Sequence, residues 1–457
     1  MSTKTRKSWL LGLTAILFIG GAFSMVRKDT SELPVYVQAA ARMLNGEEIY
    51  RPSEEKPFTY PSFFALPFVV LVPFAEEEAH TVEFSFFGLG RKDIPYRAWD
   101  GVFVRLLWFA INLTLLAWAL RSVHRMLKSQ RRETGPPLQL AWLLIAILAG
   151  RHLWAVLANQ SHDYLVLLAV LGAGLGAGFG SRTKGELGSG AWVGFGAACK
   201  ATPLLFLPVQ LWQRRFGAAF ATISALVLLL LLPELLFPRQ DGLLWLEAWQ
   251  HSFLSKVGPG SPAEAEGAWT KWNILNQNLA GTLYRLSTPV AAEQANRHFF
   301  DVSLWAPSAN ALKYITLAAQ AAVLGLILFV TRPSLSRSLE EGELRFRRFG
   351  EAGAIACGMV LLSPMSSKSH FCVLLVGTSF CIADLLWRRR DPVLGTLLAL
   401  VLASGSLTSR ELWGGSTSRE LLARGSVTWA TLLLLLAIGH ALQYRRVKVT
   451  QSDDKKP

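Results

Sequence analysis

Residues 8–26 read SWLLGLTAILFIGGAFSMV and pass directly into RKDTSELPVY at residues 27–36. The first stretch carries no formal charge, and at 1.5 Å per residue it is nearly long enough to cross a hydrocarbon core of about 30 Å as a helix. Lys4, Arg6 and Lys7 precede it and Arg27 follows. No small-residue cleavage site stands before Arg27, so the segment reads as a retained first helix and not as a signal peptide. The chain then continues as a series of apolar blocks separated by short charged stretches, and this decides the fold class.

Those blocks lie at 61–75, 101–121, 138–157, 163–180, 191–212, 216–237, 311–330, 350–362, 371–387, 393–407 and 427–442. With the first helix they predict an all-α, polytopic membrane protein of about twelve spans. Composition agrees, with 51% hydrophobic and 17% charged residues, and the alternating segments of about ten residues that mark a transmembrane β-barrel are not seen. Block 61–75 is short and carries Pro67 and Pro73, and block 191–212 is interrupted by Lys200 and Pro203, so each is a candidate re-entrant or kinked element. Residues 1–443 are expected to form one membrane domain, and 444–457 a charged, disordered cytoplasmic tail.

The net charge of +14 raises the question of nucleic acid. Its distribution answers it: Arg125, Lys128, Arg131 and Arg132, then Arg214 and Arg215, Arg345 to Arg348, and Arg388 to Arg390 sit between blocks. This is the pattern of cytoplasmic loops under the positive-inside rule, and no nucleic-acid partner is expected. Both termini are then cytoplasmic, and loops 27–60, 238–310 and 363–370 lie on the other side. If all blocks cross, residues 121–132 fall outside; if 61–75 is re-entrant and 191–212 a hairpin, they fall inside, and Asn159 and Gln160 join the outer loops. The 238–310 loop, rich in Trp and amide residues, is expected to form short amphipathic helices on the outer face. Four cysteines in apolar stretches suggest neither disulfides nor zinc.

The first loop carries Asp29, Glu32, Tyr36, Tyr50 and Tyr60. From Pro34 to Leu44 the apolar residues are helically spaced and Gly46 can end the helix, so a short amphipathic helix should lie along the membrane surface. Asp29 and Glu32 fall near its N-terminus. They can serve as cap and dipole partners, or one can act as a general base towards an acceptor hydroxyl. Lys200 within an apolar stretch must face a cavity or a partner, or else snorkel. Lys368 and His370 follow Ser363-Pro364 and could clamp a phosphate, although a lone interfacial histidine is often structural. Arg285 beside Asn276, Gln277 and Asn278 is either a ligand to phosphate or sugar hydroxyls or a solvated loop arginine. Gly172, Gly174, Gly176 and Gly178 read as close helix packing. No Walker, Rossmann, metalloprotease or paired-acid metal motif is present.

The order of an acidic residue, Val35-Tyr36, Ala39-Ala40, Gly46 and Tyr50, then Phe58-Thr59-Tyr60-Pro61, resembles the first outer loop of glycosyltransferase family 87, within the GT-C superfamily. Asn159-Gln160, Gly194 through Lys200 to Pro203, Asn276 to Gly281 with Arg285, and Ser363-Pro364-Met365-Ser366 ending in His370 are similar to later family motifs in the same order. The resemblance implies an inverting hexosyltransferase of the bacterial plasma membrane. It would move a hexose, mannose among the candidates, from a polyprenyl-phosphate donor to a glycolipid or envelope glycan acceptor on the non-cytoplasmic face. It needs no nucleotide cofactor and leaves a divalent ion open. The resemblance puts the catalytic carboxylate at Glu32, with Asp29 as the alternative. It puts the donor phosphate on His370, Lys368, Arg285 and Lys200, and substrate contacts on Tyr36, Tyr60, Asn159, Gln160 and the Asn276–Asn278 run. The family has aspartate where Glu32 stands, a methylene longer, and such a displacement can slow catalysis. The alternatives are a lipid-linked-sugar or small-solute transporter and a non-catalytic relative.

Overall fold

The computed structural model describes residues 19–21, 32–74 apart from 55, 79–85, 91–97, 99–176, 182–260, 272–333 apart from 292, 294, 297 and 299, and 339–453. The expected first span at 8–26 and Asp29 therefore lie outside the described residues, the span except for 19–21. A largely buried helix, α1 (Leu33–Leu44), leads into a 3₁₀ helix (Ser62–Phe74) and a two-stranded antiparallel hairpin, β1 (Ala79–Ser85) and β2 (Arg91–Arg97). The bundle follows: α2 (Trp99–Gln130), α3 (Leu138–Asn159), α4 (Asp163–Leu175), α5 (Arg182–Cys199), α6 (Phe206–Trp212) and α7 (Phe216–Leu236). Then come α8 (Trp245–Ser252), α9 (Leu279–Ser287), α10 (Ala309–Val330), α11 (Glu341–Leu362), α12 (Leu374–Ala383), α13 (Pro392–Ser404), α14 (Arg410–Ala423) and α15 (Ser426–Asp453). Apart from the hairpin the described structure is helical, and α15 carries the charged tail on as helix to Asp453.

Among the described residues six helices are long and apolar enough to cross a membrane, or seven if α13 and α14, bent by 109°, form one broken span. The expectation of about twelve is corrected downward. Apolarity was a poor guide because it marks burial in protein as readily as exposure to lipid. In the His370–Arg388 span 89% of residues are buried inside the protein, against 22% in Phe216–Leu236. The short α4 packs on the charged-ended α11, and α11 in turn on α12, in this centre. Block 61–75 is the 3₁₀ helix, which Pro67 and Pro73 keep from becoming a regular α-helix. Block 191–212 breaks at Lys200, where α5 ends, and resumes through Thr202–Leu205 into α6.

Helix α5 lies against α7 at close range. A Cβ on Gly194 would fall 2.6 Å from the Thr222 carbonyl oxygen, and one on Gly190 would strike the Ala218 backbone, so this small-residue spacing allows the two backbones to touch. Gly174 meets Ala352 in the same way; Gly178 lies outside the described residues.

Contacts also sort the loops by face. The Glu32 amide donates to the Asn159 carbonyl at 3.0 Å, so Asn159 shares a face with the first loop. At the opposite end Arg388 donates to Gln130 Oε1 at 2.6 Å, and Arg215 and Arg348 both approach Glu186. The basic stretches after α2, after α6, before α11 and after α12 thus gather on one face of the bundle, away from Asn159.

Candidate active site

Glu32 stands at the N-cap position of α1, with Pro34 in the first turn, yet its side chain caps no backbone amide. The bland reading of this carboxylate as a helix cap therefore fails. Tyr36, one turn along on the same face, donates from its hydroxyl to Glu32 Oε2 at 2.7 Å, and the Tyr60 hydroxyl donates to the same oxygen at 3.0 Å. Both tyrosines hold the carboxylate. Tyr60 is fixed in turn by Tyr50, whose hydroxyl donates to the Tyr60 carbonyl at 3.1 Å, and by Trp249 of α8, whose indole donates to the Thr59 carbonyl at 3.0 Å. Glu32 is half-buried, and among the described residues Oε1 makes no hydrogen bond. Burial, joined by the Asp163 charge, raises the Glu32 carboxyl above its ordinary 4.5, while the Tyr36 bond, Lys200 and Tyr60 oppose this. The same burial lifts both tyrosine hydroxyls well above 10, so they remain donors.

The α3–α4 junction faces this loop. Gln160 adopts the left-handed region (φ 51°) and its carbonyl accepts the Trp108 indole at 2.8 Å. The turn presents His162, whose Nδ1 lies 2.9 Å from the Tyr36 hydroxyl and whose ring packs on Tyr60 and Phe64. Burial first, with Lys200 and His370 adding, pushes His162 down to about 3 against the pull of Asp163, so the imidazole is neutral. Since Tyr36 spends its only proton on Glu32, the Tyr36 oxygen must accept from His162 Nδ1–H.

Asp163, the first residue of α4, is buried and accepts Lys200 Nζ at 2.8 Å on Oδ1 and Ser161 Oγ at 2.9 Å on Oδ2. Lys200 does not snorkel: the break between α5 and α6 turns it inward, as a charge in apolar surroundings requires. A narrow cavity, barely wide enough for one water, is lined by Asp163, Lys200, Ser363, Ser366 and His370. Tyr36 bonds both Glu32 and His162, the residue before Asp163, and Asp163 lines the cavity together with His370, while Glu32 does not. Lys368 is exposed and does not line this cavity, so the cation beside His370 is Lys200.

The Asn276–Asn278 run and Arg285 frame the His370 turn. Asn278 caps α9 through Gly281 N at 2.6 Å and donates to the Ser363 and Pro364 carbonyls at 2.7 Å each. Asn276 Oδ1 accepts Ser366 N at 3.0 Å, and the Gln277 amide donates to the Ser366 carbonyl at 2.8 Å. Arg285 is buried and donates to the carbonyls of Ala423, Asn273 and Asn276 and to Thr282 Oγ1. These side chains hold backbone. The His370 Nδ1 accepts the Ser367 amide at 3.2 Å, which leaves Nε2 as its proton-bearing nitrogen. Asn278→Ala is expected to cost about 1 kcal/mol for the cap and about 1 kcal/mol for each of the two bridging bonds. Thermal unfolding in detergent measures the sum, and a variant as stable as the parent would deny the turn this support.

Sequence reading passed over His162 and took Asp163 only as the start of a block. Lys200 was the available signal: an intramembrane cation needs a partner, and Asp163 is the carboxylate that opens an apolar block.

The fold and this polar centre define a multi-pass helical membrane protein with a buried polar centre at the end opposite its basic stretches. The model of glycosyltransferase family 87 matches residues 58–364, about two thirds of the 457 residues, and the chain belongs to that family. No curated protein and no solved structure matches it. The matched region takes in Tyr60, His162, Asp163, Lys200, Asn276 to Asn278 and Arg285, while Glu32 and His370 lie outside it.

Proposed function

We propose that the protein transfers a hexose from a polyprenyl-phosphate donor to a hydroxyl of a lipid or envelope glycan acceptor, with inversion, at the non-cytoplasmic face of a bacterial plasma membrane. The positive-inside rule supports that sidedness, because the basic stretches lie opposite the site. Glu32 is the base. Its unbonded Oε1 carries this reading: two tyrosines immobilise one carboxylate oxygen and leave the other to receive a proton. The acceptor oxygen gives its proton to Glu32 and attacks the anomeric carbon, and the bond from that carbon to the phosphate oxygen breaks. Lys200 and His370 stabilise the departing phosphate, where a low dielectric strengthens them. The cavity walls must part to admit a sugar phosphate, since the space beside Lys200 holds little more than one water. Arg285, Asn276 and Asn278 are positioning residues, as is His162, which orients Tyr36.

Purified full-length protein in detergent tests the reading. Labelled product should form from a polyprenyl-phosphate hexose without a sealed compartment; sugar movement that occurs only in sealed vesicles would assign transport instead. The rate should have an acid limb above pH 4.5, since the base must be ionised and its carboxyl is raised. Tyr36→Phe removes a hydrogen bond that favours the ionised form, so that limb should move to higher pH. A limb that stays in place or moves to lower pH would separate Glu32 from the titration.

A further inference from the structure

At the membrane face opposite the candidate site, α2, α4, α5 and α11 leave a groove of about 670 Å³, within the range of about 300–1,000 Å³ common for ligand sites. Its lining is divided by chemistry. Trp118, Met126, Leu168, Leu171, Leu175 and Trp192 form an apolar slot, and Ser122, Arg125, Ser129, Gln130 and Arg345 supply a polar end. From Trp118 to Gln130 the α2 axis runs about 18 Å, close to one leaflet of a hydrocarbon core of about 30 Å. Arg345 is paired with Glu341. Arg125 is exposed and makes no hydrogen bond or ion pair among the described residues, so it carries the uncompensated charge of the groove, with exposed Arg121 and Lys128 nearby on α2.

We infer that this groove binds an anionic diacyl phospholipid of the adjacent leaflet, its phosphate on Arg125 and one acyl chain in the slot. Charge complementarity decides the occupant. A zwitterionic lipid leaves the net positive charge unanswered, and a cation at a membrane surface favours anionic headgroups. A polyprenyl donor fits worse, because its phosphate belongs beside Lys200 and His370 at the other end of α4. Its hydrocarbon would then meet the arginines, serines and glutamine here, and burying such groups against a tail is unfavourable. Helix α4 supplies three leucines of the slot and α11 the Arg345 of its polar end, and the far ends of these two helices carry Asp163 and Ser363.

Native mass spectrometry of the full-length protein, given equimolar palmitoyl-oleoyl phosphatidylglycerol and phosphatidylethanolamine, tests the inference without measuring transfer. Wild type should retain the glycerol lipid in about five- to tenfold excess. Arg125→Glu should abolish the preference, Lys128→Glu, with the same charge change outside the lining, should keep it, and Ser122→Trp should lower retention of both lipids. Equal retention of the two lipids by wild type would overturn the proposal. So would equal losses in the Arg125→Glu and Lys128→Glu variants, which would indicate diffuse surface charge. Displacement of the bound lipid by equimolar polyprenyl phosphate would overturn it too, reassigning the slot to the donor's tail.

Discussion

Glu32→Gln is expected to lower sugar transfer by about 10²–10⁴-fold, the range for losing a general base, while the protein remains folded. Glutamine keeps the length of the side chain and still offers an oxygen to the Tyr36 and Tyr60 hydroxyls, so the loop keeps its shape and only proton acceptance disappears. The sign of the stability effect follows from the raised carboxyl. A group whose folded value lies above its unfolded one contributes stability below the unfolded value and loses it as pH rises through the folded one. Wild type should therefore lose stability as pH rises from 4.5 upward, and the glutamine variant should lack that slope and be no less stable at neutral pH. Unfolding curves across pH beside initial rates check both halves. Full activity in Glu32→Gln would remove this residue from the chemistry and point to Asp29, whose exchange to asparagine belongs in the same series.

Lys200→Met is expected to be the most destabilising single change at the site. It leaves the Asp163 carboxylate buried with Ser161 as its remaining side-chain partner, and breaking a buried pair from one side costs about 3–5 kcal/mol. Adding Asp163→Asn should restore much of that stability, since the orphaned charge goes with it, yet transfer should stay low because the phosphate has lost its cation. This double variant separates the two roles of Lys200. Stability and transfer recovering together would make the pair a scaffold only. If Lys200→Met were as stable as the parent, the ion pair itself would be in doubt.

Much of the local structure could be read from the chain. The helix after Glu32, the interruption at Lys200 and Pro203, and the close packing at Gly172 and Gly174 all follow from short-range rules of periodicity, ring closure and side-chain size, and the structure has them at α1, at the α5 end and where α4 meets Trp192 and Ala352. The span count was not legible in the same way. Helices α4 and α11 are apolar because protein surrounds them, and hydropathy does not separate that from lipid.

The site was half legible. Glu32, Lys200 and His370 stood out as charged or titratable groups in apolar or interfacial settings, whereas His162 did not, because its importance rests on one contact with Tyr36 far away in sequence. Arg285 and Lys368 read alike from sequence as candidate phosphate ligands; burial gave the first to backbone carbonyls and exposure took the second out of the cavity. By itself the sequence determined that this is a helical membrane protein of a glycosyltransferase family, since apolar block length, charge placement and motif order are properties of the chain alone. Only the tertiary structure decided which carboxylate holds Lys200 and which oxygen of Glu32 stays open. Those depend on side chains meeting across distances that no local pattern encodes, once burial has made each polar group find a partner.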